Sequence, residues 1–335
     1  MSANQGVSFG WSLRLTPEDL PEEARAAPDR GAAALLSAID NYIEVVQPHF
    51  DTIWSADHFH SDGQPLLEAV TTISYLAGRF PKLKFGHLVL AQSYRNPAYV
   101  AKLAANLQLL TKGRFILGIG AGWKEDEYRG YGYDFPPVGV RMAQLDEALQ
   151  IIRAMWSEDA DRVKLRMPST TKPLQDIKAM LQGGATFHGK HYHIENAQCV
   201  PRPEPPIPIL VGGGGEKKTL RIVARYADMW NVTFTTPEEY AHKQSILEEH
   251  CRDVGRDPAE ITPTYRGLIS LVDDASQAEK RDNMHVIGGT ADDVTRGLEE
   301  FTRLGVKHFQ LSILGFPKTD SVEKFIDRVI PRFRN

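Results

Sequence analysis

Short β-rich runs alternate with longer segments of helical period along most of the chain. The runs are "VSFGWSL" from Val7, "DTIWSAD" from Asp51, "LKFGHLVL" from Leu83, "RFILGIG" from Arg114, "IPILVGG" from Ile207, "MWNVTF" from Met229, "TYRGLISLV" from Thr264 and "HFQLSIL" from His308. Between them stand amphipathic patterns such as "AALLSAIDNYIEVV", "NPAYVAKLAANLQLL", "RMAQLDEALQIIRAMW", "TLRIVARYAD" and "TRGLEEFTRLG". Short runs of branched and aromatic residues read as buried strands, and an apolar repeat every three to four residues reads as a helix laid on them. Eight such units predict a parallel sheet with crossover helices, because parallel neighbours need a connection long enough to cross the sheet. The expected architecture is a closed (β/α)8 TIM barrel; an open doubly wound sheet is the other that this pattern permits. In a barrel the working residues stand at the C-terminal strand ends.

One stretch breaks the rhythm. From about Ser157 to Ala185 the chain is polar and contains prolines, and "TFHGKHYHIEN" follows, alternating about Gly189 as a hairpin does. The expected organisation is a single domain over 1–335, with insertions at the C-terminal mouth: 157–195 is an insertion and hairpin, either a lid or a surface excursion without a role. With 335 residues, 42% of them hydrophobic, the chain has ample material for a large core. A formal net charge of −4, with both signs mixed along the chain, gives no case for a nucleic-acid or membrane partner. No apolar run reaches membrane-spanning length and the N-terminal residues lack a signal-peptide pattern. The two cysteines, Cys199 and Cys251, are far apart, so a reducing compartment fits and a cytoplasmic location is expected.

Two glycine-bearing strand ends compete as anion sites. In "LGIGAGWKEDEY", Gly118 and Gly120 match the first two places of a dinucleotide fingerprint, but Trp123 occupies the third, where glycine would let a helix pack closely. Its carboxylates Glu125, Asp126 and Glu127 suit a first helical turn. In "ILVGGGGEKKTLRIVARYAD" a β run enters Gly212, Gly213, Gly214 and Gly215, and a helix follows at once. Backbone N–H groups turned toward a ligand at a helix N-terminus stabilise phosphate, and Lys217 and Lys218 add charge. A tight turn needing glycine only for its dihedrals is the plainer alternative, although one or two glycines would serve it. This segment is not a P-loop.

"IWSADHF" places Asp57, His58 and Phe59 at the end of the second strand. A histidine there can donate to a ring carbonyl or shuttle a proton near neutral pH, whereas a structural histidine held by Asp57 explains the same letters. His188, His191 and His193 lie in the hairpin without ordered further ligands, so no metal is expected. Neither a Gly-x-Ser-x-Gly elbow nor a catalytic cysteine signature is present, which disfavours nucleophilic hydrolysis.

Taken together, "SADHF", the stretch "YRNPAYVAKLAANLQLLTKGRFILGIGAGWKEDEYRGYGYDF" with the helix after it, and "PIPILVGGGGEKKTLRIVARYADMWN" resemble the luciferase-like monooxygenase superfamily. Within it the chain looks most like the oxidoreductases dependent on coenzyme F420, a deazaflavin. The resemblance implies a (β/α)8 barrel, a homodimer, and F420 or, alternatively, FMN held across the mouth. It implies that Gly213, Gly214 and Gly215 with Glu216 and Lys217 form the phosphate turn, and that His58, with Asp57, lies close to the cofactor ring. His87, Leu88 and Val89 correspond to the strand-three end, where deazaflavin members often carry a non-prolyl cis bond. Trp11, Phe59, Tyr94 and Trp123 are the candidate pocket residues for a small organic substrate. The sugar-phosphate dehydrogenase of the superfamily has a glutamate where Trp123 stands and a tryptophan near Asp62, and both departures speak against that substrate. The implied activity is hydride transfer between F420 and an organic substrate. An FMN-dependent monooxygenase using oxygen is the alternative, and a flavin-binding protein without turnover is a second one.

Overall fold

The computed structural model describes residues 6–13, 22–26, 31–61, 65–157 and 184–334. The expected insertion between 157 and 185 therefore falls almost entirely outside the described residues, and so does Asp62. The described strands are β1 (Ser8–Leu13), β2 (Thr52–Ser55), β3 (Lys84–His87), β4 (Leu90–Ala91), β5 (Phe115–Gly120), β6 (Ala185–His188), β7 (His193–Ala197), β8 (Ile209–Gly212), β9 (Met229–Thr233), β10 (Thr262–Leu271), β11 (Val286–Gly289) and β12 (His308–Ile313). The eight runs of the hydrophobic pattern are β1, β2, β3, β5, β8, β9, β10 and β12. The third run is interrupted after His87 and resumes at Leu90, and β11 was not expected.

The chain forms two compact units, Met1–Val89 with Leu210–Asn335, and Leu90–Ile209. In the first, β3, β2, β1, β12 and β10 are successive parallel neighbours, and β10 also pairs with β9 through its first half and with β11 through its second. β9 pairs in turn with β8. Helices Ala32–Val46, Ala69–Arg79, Thr219–Tyr226, Pro237–Val254 and Ala291–Arg303 supply crossovers, and Asp320–Arg328 follows the last strand. Two of them start on capping boxes, Thr236 with Glu239 and Thr290 with Asp293, in which side chain and backbone satisfy each other's open donors.

Alternation along these strands separates two cores. Phe9 on β1 packs against Phe309 (5.8 Å), Phe325 (5.7 Å) and Phe50 (6.4 Å), on the face that the helices cover. Its neighbour Gly10 points the other way, and a Cβ there would lie 2.6 Å from Nε1 of Trp54. On β3, a Cβ at Gly86 would lie 2.4 Å from Cζ3 of the same indole. Trp54, fully buried on β2, thus occupies space that two mid-strand glycines leave open. Its Nε1 donates to Nε2 of His308 at 3.1 Å, which leaves Nδ1 of His308 to carry the proton toward Ser8 Oγ, 2.7 Å away. Burial, with the nearby charge of Lys84, pushes the His308 imidazole down to about 3, so it stays neutral.

In the second unit β5 is buried along its whole length and pairs with β4, while Leu117 N–H donates to the Pro208 carbonyl at 3.0 Å. Helix Pro97–Leu110 is capped by Asn96, and the indole of Trp156, closing helix Val138–Trp156, donates to the Ala101 carbonyl at 3.0 Å. β6 and β7 form the expected antiparallel hairpin. Its tip is held by the Glu147 carboxylate, which accepts the backbone N–H groups of Lys190, His191 and Tyr192 at 2.8 to 3.0 Å. No helix among the described residues is long and apolar enough to cross a membrane.

Two outcomes follow from the Trp54 core. Gly86→Ala overpacks a rigid indole and should lower stability by about 1–3 kcal/mol. Gly78→Ala, on a helix and with nothing within 4 Å of the added carbon, should be neutral or stabilising by up to about 1 kcal/mol. Thermal unfolding of the two variants side by side checks the contrast. Because the folded state refuses a proton that the unfolded histidine takes up below its ordinary value near 6.5, His308 draws stability down as the pH falls from about 6.5 toward 3. His308→Gln should flatten that slope by up to about 1.4 kcal/mol per pH unit, read from denaturant unfolding at a series of pH values.

Candidate functional site

In the first unit, three strand ends carry most of the residues expected to act. Two residues beyond β2 stands Asp57, which is buried, followed by the half-buried His58 and Phe59. β3 ends in His87, which is fully buried, followed by Leu88, buried, and Val89, half-buried. The peptide bond between Leu88 and Val89 is cis, at the position where the resemblance places such a bond. β8 ends in the glycine turn. A Cβ on Gly212 would lie 2.9 Å from Cγ1 of Val89, so the turn and the strand-three end are in direct contact.

Each glycine of the turn has its own reason. Gly212 belongs to the ladder with Asn231 and cannot carry a side chain against Val89. Gly213 has φ of 125°, outside the range of ordinary side-chain-bearing residues, and its N–H ends the pairing on the Asn231 carbonyl at 2.9 Å. A Cβ on Gly214 would meet Cδ of Lys243 at 2.8 Å, and one on Gly215 would meet Oγ1 of Thr219 at 2.7 Å. A turn that needed glycine only for its dihedrals would not close the other three positions sterically. Beyond Gly213 the backbone N–H groups of Gly214, Gly215, Glu216 and Lys217 donate to no other group among the described residues. They open onto helix Thr219–Tyr226, whose N-terminus has no side-chain cap. Unspent N–H groups at the positive end of a helix form an anion seat.

The charged residues around this turn differ from the sequence reading. Lys217 is exposed and makes no ion pair or hydrogen bond among the described residues. Glu216 turns its carboxylate toward His242 Nε2 (3.3 Å) and Lys243 Nζ (3.8 Å), and its carbonyl accepts from His250 Nε2 at 2.8 Å. Lys243 also donates to the Gly214 carbonyl at 3.2 Å. The cation fixed to the turn is therefore Lys243, which the sequence reading missed. Its signal lay in the pattern: Tyr240, Leu247 and Cys251 are the buried residues of helix Pro237–Val254, and Lys243 falls on that apolar stripe at helical spacing.

A second missed pair stands where β9 and β10 run in register. The Arg266 guanidinium lies over the Phe234 ring at 5.2 Å, and Phe234 has φ of 54°, an uncommon left-handed conformation for a bulky residue. Two backbone bonds hold it there, Phe234 N–H to the Arg266 carbonyl (3.0 Å) and His285 N–H to the Phe234 carbonyl (2.8 Å). A strained aromatic beneath a fixed cation at a strand end is an arrangement found at ligand sites.

The structure corrects one expected pocket residue and redefines another. Trp11 is 2% exposed, stacked on Tyr42 at 4.5 Å and packed on Phe316 at 5.7 Å. It is a core residue, because β1 alternation puts it on the same face as Phe9. In the second unit, Tyr94 is buried with its hydroxyl donating to Glu127 Oε2 at 3.1 Å. Glu127 is itself fully buried and paired with Lys124 at 3.3 Å, so it does more than the first-turn charge it was read as. Trp123, by contrast, is 71% exposed. In the hairpin the rings of His188 and His193 face each other across the strands at 5.9 Å, and His191 lies in the connecting turn.

The chain is 30% identical over 293 residues to a phthiodiolone/phenolphthiodiolone dimycocerosates ketoreductase of Mycobacterium sp. strain JLS, covering 80% of this chain and 69% of that one. It is 29% identical over 246 residues to an F420-dependent glucose-6-phosphate dehydrogenase of Kineococcus radiotolerans, covering 71% and 65%. Among solved structures, an F420-dependent secondary alcohol dehydrogenase in complex with an F420-acetone adduct superposes with a TM-score of 0.74 at 20% identity, covering 98% of this chain and 100% of that one. Two monooxygenases share the fold at the same TM-score. The fold class is the (β/α)8 barrel that the strand pattern predicts. A profile described as luciferase-like monooxygenase matches residues 47–312. The chain is an oxidoreductase and belongs to the luciferase-like monooxygenase family.

Proposed function

We propose that this enzyme exchanges a hydride between coenzyme F420 and a small organic substrate, acting as a cytoplasmic homodimer built on one barrel domain. The observation that carries the reading is the glycine turn: its unspent N–H groups form a phosphate seat, and the turn touches the strand-three end at Val89. The residues present fit a phosphate-bearing cofactor, because the positions a side chain would block are glycine and Lys243 donates to the turn at the Gly214 carbonyl. The N–H groups of Gly214, Gly215, Glu216 and Lys217 would hold the phosphate, with Lys243 supplying charge from beneath. Leu88 and Val89 would buttress the ring. When bound, the deazaflavin supplies the two-electron carrier. His58 would hold or move a proton at an imidazole nitrogen, with the buried Asp57 beside it in the chain, while Phe59 and Trp123 would contact substrate. Relatives named as F420-dependent enzymes support the cofactor.

A second reading is an FMN-dependent monooxygenase using oxygen, favoured by the monooxygenases that share the fold equally well. Both cofactors carry phosphate, so the turn accepts either.

Side-by-side fluorescence titration with F420 and FMN separates the two. F420 should bind at micromolar concentration and FMN at least about tenfold more weakly, a difference of about 1.4 kcal/mol. Tighter FMN binding, with oxygen uptake by the reduced form, would overturn the F420 assignment, and binding of neither would end the reading. Lys243→Met should weaken binding of the preferred cofactor by about three- to tenfold at low salt, with the gap narrowing as ionic strength rises. An unchanged dissociation constant would remove Lys243 from the seat.

A further inference from the structure

We propose that Trp230, Lys243 and His250 are positioning residues of the glycine turn: each holds one peptide carbonyl and so turns the N–H group of the next residue toward the phosphate. The proposal rests on the phosphate reading of the turn above and adds the side chains that give the turn its polarity.

The carbonyls of Gly213, Gly214, Gly215 and Glu216 are all taken by groups of the protein. Gly213 accepts from Nε1 of Trp230 at 3.1 Å, and Gly214 from Nζ of Lys243 at 3.2 Å. Gly215 accepts the Leu220 N–H at 3.1 Å, and the Glu216 carbonyl lies 2.8 Å from Nε2 of His250. A carbonyl can only accept, so Nε2 is the nitrogen of His250 that carries a hydrogen there. The donors come from β9, helix Thr219–Tyr226 and helix Pro237–Val254.

The four N–H groups of the seat, those of Gly214, Gly215, Glu216 and Lys217, belong to the same four peptides. None of these peptide bonds is cis, and a planar trans peptide directs its N–H away from its C=O. Each donor therefore turns one N–H group away from itself. A carbonyl that accepts a hydrogen bond also polarises its amide, which makes the N–H on the other side a stronger donor. Burial does not account for the arrangement, because Gly215, Glu216 and Lys217 are exposed and water would serve their carbonyls equally well. What the protein donors add is a fixed orientation, and peptides fixed before the ligand arrives lose little freedom when it binds.

Helix Pro237–Val254 supplies two of the donors. Lys243 and His250 stand seven residues apart, close to two full turns, so both face the glycines. Their side chains are 22% and 19% exposed, and the Lys243 stem runs through the space that a Cβ on Gly214 would need. His242 of the same helix lies 3.3 Å from the Glu216 carboxylate. That carboxylate is thereby turned to the helix, on the opposite side of the turn from the N–H groups of Gly215 and Lys217.

The test follows the backbone amides of the full chain in nitrogen-15 correlation spectra while inorganic phosphate is added. In the unaltered protein the amides of Gly214, Gly215, Glu216 and Lys217 should shift. His250→Leu should remove most of the shift at Lys217, Lys243→Met at Gly215 and Trp230→Phe at Gly214, each leaving the other amides responsive. His250→Gln, whose side-chain amide still donates, should restore the response of Lys217. In fluorescence titration with the cofactor that binds more tightly, His250→Leu should weaken binding about three- to tenfold, the worth of one hydrogen bond, and His250→Gln by less than about twofold. If the four amides shift but the variants weaken them together or leave them unchanged, or if His250→Gln fails as His250→Leu does, the positioning roles are overturned and the phosphate reading stands. If no amide of the turn shifts with phosphate or with either cofactor, the phosphate reading falls and the proposal with it. Trp230 is fully buried; should Trp230→Phe not fold, the His250 and Lys243 variants decide.

Discussion

The indole of Trp54 sets the geometry on which the first unit depends. A side chain of that size can lie across β1, β2 and β3 only if its neighbours on the adjoining strands have no Cβ, and Gly10 and Gly86 meet that requirement. Its one polar atom must also find an acceptor when buried, and His308 supplies it from β12. The contact thus fixes which residue of β2 points inward and where β1, β3 and β12 stand beside it. The consequence for function is positional. Asp57 and His58 leave β2 three and four residues beyond the indole, and His87, Leu88 and Val89 follow directly after Gly86. A shift of one residue in β2 would turn the indole out to the helices and rotate the following residues with it.

Much of this fold is legible in the sequence because parallel strands buried on both faces leave unbroken apolar runs, which is how all eight barrel strands are found. The failures have physical causes. β11 is a four-residue strand half made of glycine, "VIGG", with too little side-chain pattern to register. The third run reads as continuous through Leu90 because Leu88, Val89 and Leu90 extend its apolar residues, yet the ladder stops at His87. Apolarity reports burial, and hydrogen-bond continuity leaves no mark in it. The Trp11 error is of another kind. Alternation from Gly10, a glycine in mid-strand, already implies that Phe9 and Trp11 share the helix-covered face, but a large aromatic near a strand end invites a pocket reading.

The candidate site divides along the same line. The glycine turn is legible because a missing side chain is itself a sequence feature, and four in a row exceed what a turn's dihedrals require. Lys243 and Arg266 were missed because each comes from an element whose own pattern is ordinary, and only the fold brings it to a strand end. For Lys243 an isolated cation on an otherwise apolar stripe is the recoverable signal, since a charge is not half-buried without something to hold; Arg266 shares its face of β10 with Thr264, Leu268 and Ser270 and leaves no such mark. Lys217, adjacent to the glycines and conspicuous in "GEKK", is the opposite case: proximity in sequence suggested a role, and its side chain is in solvent.

The two halves of the proposed function therefore rest on different kinds of contact. At the turn the ligand would be held by backbone N–H groups, which respond to charge and shape and not to the identity of the group bearing the phosphate. Such a seat would serve any phosphate-bearing cofactor, so the turn by itself does not choose between F420 and FMN. Discrimination would have to come from side chains near the ring, and the candidates are those set by the Trp54 register: His58 beyond β2, and Leu88 and Val89 beyond β3. Anchoring and cofactor choice would thus fall to separate segments, so that one barrel can retain its cofactor while the loops around it vary.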